Sequence, residues 1–187
     1  MNFLIEMWMP ILLSAVFVFI VSSMLHIVFS GWHAPDCKGL KSESDVMRAL
    51  RESGNGPGEY MMPHAESMAA MKSEAYCAKL EEGPIARITI MSSNAANMTS
   101  ALSKWFILSI CISIVCAYVS SFALVQDGDY LAVFRLTGVV AFCAYSFGYI
   151  HNYIWAGTPG KVAIKFVIDG FVYALITAGT FGWLLHA

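Results

Sequence analysis

Four long apolar stretches constrain this chain more than any other feature of its sequence. A helix needs about 20 mostly apolar residues to cross a hydrocarbon core about 30 Å thick. Hydrophobic residues make up 58% of the 187 positions and charged residues 13%, whereas soluble domains average about 25% charged. The chain is therefore predicted to be an all-α membrane protein with a four-transmembrane-helix bundle. The stretches are Pro10–Phe29, Leu102–Val125, Leu131–Ile154 and Ala163–Leu185.

The spacing of these stretches divides the chain into three predicted parts. Residues 1–32 form the N-terminus and first transmembrane helix, residues 33–98 a small, partly helical insert, and residues 99–187 a three-helix transmembrane segment (102–125, 131–154 and 163–185). A cleaved signal peptide begins with positive charge and ends in small residues. Glu6 is the only charged residue before the first stretch, and no such cleavage site follows. The first helix is therefore expected to remain uncleaved.

The insert between the first two spans carries signals of local structure. A capping-box serine, Ser42, and a stop signal, Gly54, bound a predicted helix. Glycine and proline predict a loop over Asn55–His64. A second helix is expected over Ala65–Leu80, and β-branched alternation predicts a short strand within Pro84–Ser93.

Lysine and arginine residues predict the orientation in the membrane. With four spans, the insert and the turn at 156–161 share one side, and ten of the eleven lysines and arginines belong to it. Only Arg135 lies nearer the other side. Because positive charge marks the cytoplasmic face, the insert is expected to be cytosolic and both termini to face outward. The net charge of −2 gives no indication of nucleic-acid binding.

An acidic residue, Asp169, lies inside the fourth apolar stretch. A charged side chain at the bilayer centre costs about 2.5–3.5 kcal/mol on insertion scales, so it normally faces protein or water. Tyr173 and Thr177 follow it at helical spacing. Folding the third helix against the fourth brings further polar groups to about this depth or one turn nearer the cytosol. The predicted intramembrane polar cluster is Asp169, Tyr173, Thr177, Tyr145, Tyr149, His26 and His151.

The expected partners of the Asp169 carboxyl are Tyr145, Ser146 and Tyr149 of the third helix, or a group on another subunit. Four roles are compatible with this cluster. It could act as a proton or ion relay, a metal site or a ligand pocket, or it could be a hydrogen-bonded clamp between helices.

Small residues recur every four positions on the fourth helix. Such a ridge lets another helix backbone approach closely, and no catalytic motif of a familiar type occurs in the chain. The leading hypothesis is a non-enzymatic membrane protein that acts by homo-oligomeric assembly or as an accessory subunit of a membrane complex. The alternative is a small proton, ion or solute transporter or channel that uses Asp169. The predicted helix-packing interface is Gly170, Ala174, Ala178 and Gly182.

A third hypothesis is metal handling through the insert. Thiolate and imidazole ligands suit zinc or copper, and the candidate ligands are His33, Cys37, His64 and Cys77. The paired cysteines of familiar structural zinc sites are missing, so ordinary packing is the competing interpretation. No other cofactor is predicted.

Three segments carry a resemblance to a known family. These are "LHIVFSGW" at the end of the first span, "AYV" (Ala117–Val119) in the second, and "KVAIKFVIDGFVYALITAGTFGWL" in the fourth. The pattern resembles a family of small bacterial four-helix integral membrane proteins of unknown function. The resemblance implies the four-helix architecture and a bacterial inner membrane, and it carries no site residues.

Overall fold

The computed structural model describes residues 3–93, 97–125 and 129–185, which are mostly helical. The chain separates into two compact units, Met1–Lys38 together with Met98–Ala187, and Gly39–Asn97. Residues 33–38, assigned to the insert from the sequence, thus group with the spans. The helices are α1 (Phe3–Glu6), α2 (Trp8–Ser23), α3 (Glu43–Glu52), α4 (Glu74–Glu82), α5 (Met98–Val125), α6 (Tyr130–Trp155) and α7 (Gly160–Leu185), and the strands are β1 (Gly58–Met62) and β2 (Ala86–Ile90).

Among the described residues, four helices of the first unit are long and apolar enough to cross a membrane. They are α2 with the turn that continues it to Val28, α5 as far as Phe122, α6 and α7. This confirms the four predicted apolar helices, each within a few residues of its predicted bounds. Large apolar side chains remain exposed along all four, such as Ile20, Val139 and Phe171. Lipid is the environment that suits such a surface.

Small residues determine how closely these helices pack. Helix α7 packs along α6 and against α2, and α5 packs against α2 and α6. A Cβ added at Gly170 would lie 3.1 Å from the backbone carbon of Tyr145, and one at Gly138 would lie 3.3 Å from the Cβ of Ala178. The small-residue ridge predicted on α7 therefore lies against α6 of the same chain.

Short connections join the last three helices. Helix α6 ends at Trp155, and Gly157 just beyond it has a φ of +73°, the left-handed conformation that favours glycine after a helix. Its neighbours Ala156 and Thr158 donate backbone hydrogen bonds to the Asn152 carbonyl at 2.9 and 3.3 Å. The predicted turn at 126–130 lies largely outside the described residues. At its end, Asp129 caps α6 by accepting from the backbone N–H of Ala132 at 2.8 Å.

The second unit corrects the all-α prediction. Strand β1 pairs antiparallel with β2, with Tyr60 opposite Ile88, in a region predicted as a loop. The predicted strand β2 requires a second strand as its partner, because a lone strand leaves its backbone groups unpaired. The glycines and prolines that flank β1 are loop signals when they are considered alone.

The helices of the second unit differ in how well their bounds were predicted. Helix α3 lies inside the interval from Ser42 to Gly54, as predicted. Helix α4 begins later than the predicted Ala65, because Ser73 caps it by accepting from the backbone N–H of Tyr76 at 3.3 Å.

Candidate functional site

The chain reverses direction at the end of the first span. A π turn covers Met24–Val28, where the backbone N–H of Phe29 donates to the Met24 carbonyl at 2.9 Å. Tight turns follow, and a short 3₁₀ helix covers Ala34–Asp36. Single π turns in α-helices are frequent at functional sites. Here the reversal brings the side chains that follow the span onto α7.

Asp169 is buried, with 2% of its surface exposed, and each of its carboxylate oxygens has a partner from this reversal. Trp32 donates its indole N–H to Oδ1 at 3.0 Å. Nε2 of His33 lies 2.7 Å from Oδ2. A buried carboxylate without partners would be strongly destabilising, and these two contacts account for its presence inside a span.

These partners differ from the α6 residues expected from the sequence. Consecutive residues on a helix point about 100° apart. Since Gly170 lies against the α6 backbone, the preceding Asp169 points away from α6 and towards the end of the first span. Ser146, one of the expected partners, instead directs its hydroxyl to the Val167 carbonyl at 3.4 Å.

A chain of ionisable groups extends from the buried carboxylate towards solvent. Nδ1 of His33 lies 3.0 Å from Oδ2 of Asp36, and Lys165 donates to Oδ1 of Asp36 at 2.6 Å. The Lys165 ammonium lowers the pKa of the Asp36 carboxyl below its usual value, mainly through this hydrogen bond. Lys165 also donates to the Trp32 carbonyl at 2.5 Å and lies 5.3 Å from the Trp32 ring centroid. Lys165 precedes Asp169 by four positions, and this spacing places both side chains on one face of α7.

Stacked rings hold the imidazole of His33 in place. Its ring stacks on Phe166 with centroids 4.8 Å apart, and Phe166 stacks on Tyr149 at 4.3 Å. On its other side, His26 stacks at 4.4 Å with an angle of 11° between the ring planes. Tyr149 of α6 therefore contributes to the site through this column of rings, and not through a hydrogen bond to the carboxylate.

A cavity of about 450 Å³ lies beside Asp169. Asp169, His26, Tyr149 and Tyr173 form part of its wall. The Tyr173 hydroxyl is buried and has no hydrogen-bond partner among the described residues. Across the cavity, Trp105 donates its indole N–H to the Ser22 hydroxyl at 2.8 Å. The cavity is therefore mostly aromatic and apolar, with a carboxylate and an unpaired phenol at its wall.

Most of the predicted polar cluster lines or adjoins this cavity. Tyr145 lines the cavity as well. Its buried hydroxyl makes no hydrogen bond with any described residue, although the hydroxyls of Ser109 and Thr177 lie near it. Thr177 is buried and donates to the Tyr173 carbonyl at 2.9 Å. His151 is exposed on α6.

The candidate metal set of the insert is divided between the two units. His33 and Cys37 belong to the first unit, and His64 and Cys77 to the second. Both cysteines are free and exposed. This set stays a prediction.

Sequence reasoning missed four members of the site. From the sequence, His33 is expected as a metal ligand of the insert, Lys165 contributes only to the predicted orientation, and Trp32 and Asp36 have no predicted role at this site. One signal was available: Lys165 precedes Asp169 by four residues, and a lysine that close to a buried acid indicates a polar patch at that end of the helix.

The fold and the site define the class of the protein as a multi-pass membrane protein with a buried carboxylate–imidazole site near one end of its spans. No family model, curated protein or solved structure matches this chain.

Proposed function

We propose that the chain is a four-helix bundle of a bacterial inner membrane, similar to the small four-helix family named above. In this proposal both termini face outward and the 33–98 insert is cytosolic. The excess of lysine and arginine on the insert side supports this orientation. Asp36 then lies at the cytosolic end of the site, together with Lys165 from the first turns of α7.

We propose further that the protein is a small carrier or channel that binds a cation at Asp169. The observation that carries this proposal is a buried carboxylate in the wall of a cavity of about 450 Å³. Ionisable residues inside spans are costly and mark ion or substrate pathways by default. Two hydrogen bonds and the stacking of His33 on Phe166 hold Asp169 and His33 in place, and such a pair is suited to binding a ligand of defined chemistry.

Buried hydroxyl groups continue beyond the cavity and support a path along the spans. Ser14 of α2 and Ser113 of α5 are 2.9 Å apart, and Ser120 of α5 lies 2.6 Å from the hydroxyl of Thr137. Ser113 is two helical turns and Ser120 about four turns beyond Trp105, the residue that lines the cavity. A cation that left Asp169 would therefore meet polar groups at intervals in an otherwise apolar interior.

Assembly remains a separate prediction. The ridge that suggested oligomerisation is occupied by α6 of the same chain, since a Cβ at Gly170 would already meet Tyr145 and Ser146. A homo-oligomer or a larger complex would therefore need a different surface of the spans.

Flux measurements in proteoliposomes test the proposed function. The full chain is reconstituted, and uptake of sodium, potassium and zinc ions is followed with enclosed indicators. We expect one of these cations to enter, and Asp169→Asn to remove most of that uptake because the anionic group is lost. Asp45→Asn, at an exposed position of α3, is the matched control and should leave uptake unchanged. Absence of flux for every cation, or equal flux with Asp169→Asn, contradicts the proposal.

A further inference from the structure

We propose that His26, His33 and Asp169 bind one divalent first-row transition-metal ion, with Zn²⁺ or Fe²⁺ as the best chemical match. One ligand atom from each residue lies within 4.8 Å of the others. The three side chains come from the π turn, the reversal and α7, so the fold brings them together from separate segments. The inference names the cation for the site proposed above and rests on that proposal only for a role in transport.

The atom of each ligand that would not contact the ion already has a partner. Nδ1 of His26 lies 2.9 Å from the Ser22 carbonyl. Because a carbonyl only accepts, this nitrogen carries the hydrogen and Nε2 keeps a lone pair. Nδ1 of His33 faces Asp36 at 3.0 Å, which leaves Nε2 for the ion.

The carboxylate follows the same arrangement. Oδ1 of Asp169 accepts from Trp32 at 3.0 Å, which leaves Oδ2 for the ion. Metal-bound histidines almost always donate their second ring N–H to a carbonyl or a carboxylate, and ligating carboxylates are in turn hydrogen-bonded. All three candidate ligands of this site have such outer-shell partners. Ordinary polar packing does not require that the outer atom of all three side chains has a hydrogen-bond partner.

Binding an ion would require two changes in the described geometry. The 2.7 Å contact between Nε2 of His33 and Oδ2 of Asp169 contains a hydrogen, which the ion replaces, so that one proton is released. An ion lies in the plane of each imidazole that binds it. Since the rings of His26 and His33 stack with 11° between their planes, one ring must rotate. His26 is exposed and borders the cavity, which leaves space for its ring to rotate.

The ligand set selects the class of ion. Two imidazole nitrogens and one carboxylate oxygen suit zinc and ferrous ions. Calcium and magnesium prefer sites made wholly of oxygen atoms, and Cu(I) prefers sulfur ligands. Three protein ligands also leave a coordination position open, as in catalytic zinc sites. His26 and Asp169 both line the cavity, so a solvent molecule in the cavity could fill that position.

The test measures metal binding to the full chain in detergent micelles. The protein is stripped with a chelator and titrated with Zn²⁺ against a chromophoric competitor. We expect one ion per chain. Asp36→Asn should weaken binding roughly 10–100-fold, the usual effect of losing an outer-shell partner. His26→Gln should weaken it by at least as much, because it removes a ligand.

His151→Gln is the matched control, since it makes the same change at an exposed histidine outside the site. Co²⁺ binding to the unaltered protein gives a second readout that does not depend on any variant folding. Its spectrum should show nitrogen and oxygen ligands without the thiolate charge-transfer bands that Cys37 or Cys77 would produce.

Three outcomes would overturn the inference. They are the lack of stoichiometric Zn²⁺ binding, thiolate bands in the Co²⁺ spectrum, and equal weakening by His26→Gln and His151→Gln. The two proposals fail separately. Zinc binding without flux in liposomes removes the transport role and leaves the metal site, whereas flux of another cation without zinc binding removes the metal site alone.

Discussion

Replacing Gly170 by alanine should destabilise the packing of α7 on α6, whereas the same change at Gly179 should not. A Cβ at Gly170 would lie 2.3 Å from the Ser146 hydroxyl oxygen, and 3.1 and 3.2 Å from the carbonyl carbon and oxygen of Tyr145. A Cβ at Gly179, on the same helix, would meet no described atom within 4 Å apart from its own stretch of helix. The hydroxyl can rotate away, but the backbone of Tyr145 cannot.

The difference between these two variants isolates the steric effect. Each substitution gains up to about 1 kcal/mol of helix propensity, and this gain cancels in the comparison. Extra atoms in a well-packed interior cost about 1–3 kcal/mol. Gly170→Ala should therefore be less stable than Gly179→Ala by roughly that amount. Gly179→Ala itself should equal or exceed the stability of the unaltered protein.

Unfolding by SDS in mixed micelles, followed by tryptophan fluorescence, measures both variants under one condition. A third protein, carrying Gly170→Ala and Ser146→Ala together, separates the two contacts. It should recover the part of the loss that comes from the Ser146 hydroxyl and keep the part that comes from the Tyr145 backbone. Equal stability of Gly170→Ala and Gly179→Ala would refute the close approach of α6 and α7 at this position.

The remaining predictions concern hydrogen bonds made by residues of the spans and use the same assay. Trp32→Phe should cost about 1–3 kcal/mol, because it leaves Asp169 with an unsatisfied oxygen; the exposed Trp183 is the control, and an equal loss for Trp183→Phe would contradict the bond. Asp169→Leu should be less stable than Asp169→Asn, since an amide can bond both partners and leucine neither; the reverse order would show that the partners contribute no stability. Ser14→Ala and Ser113→Ala should be coupled by about 0.6 and at most about 1.7 kcal/mol, and additive losses would contradict their 2.9 Å contact.

The four spans could be predicted because length and apolar composition alone are sufficient to recognise them. The strand β1 could not, because it depends on pairing with a segment more than twenty residues later in the chain. Its sequence, "GEYMM", lies between a Gly-Pro pair and a proline, which are loop signals when considered alone.

The burial of Asp169 was predictable, but its partners were not. Burial follows from the cost of a charge in lipid, whichever way the helix is rotated. The partners depend on that rotation. Here the rotation is determined by Gly170, which has no side chain. Sequence reasoning treated the small-residue ridge as a contact for a second subunit, and so left α7 free to turn Asp169 towards α6. Once Gly170 lies against the Tyr145 backbone, that orientation is no longer available.

The adjacency of Asp169 and Gly170 links the packing of the spans to the chemistry of the site. Gly170 determines how close α7 lies to α6, and α6 also supplies Tyr149, the first ring of the stack that leads through Phe166 to His33. The carboxylate and the imidazole that face each other at 2.7 Å are therefore positioned by the same helix pair. A movement of α7 away from α6 would shift Asp169 directly and His33 through the stacked rings. The close contact between two small surfaces thus acts as a geometric support for a polar site on the neighbouring face of the helix, about 100° away, and this links a costly charge to the tightly packed glycine beside it in the fourth span.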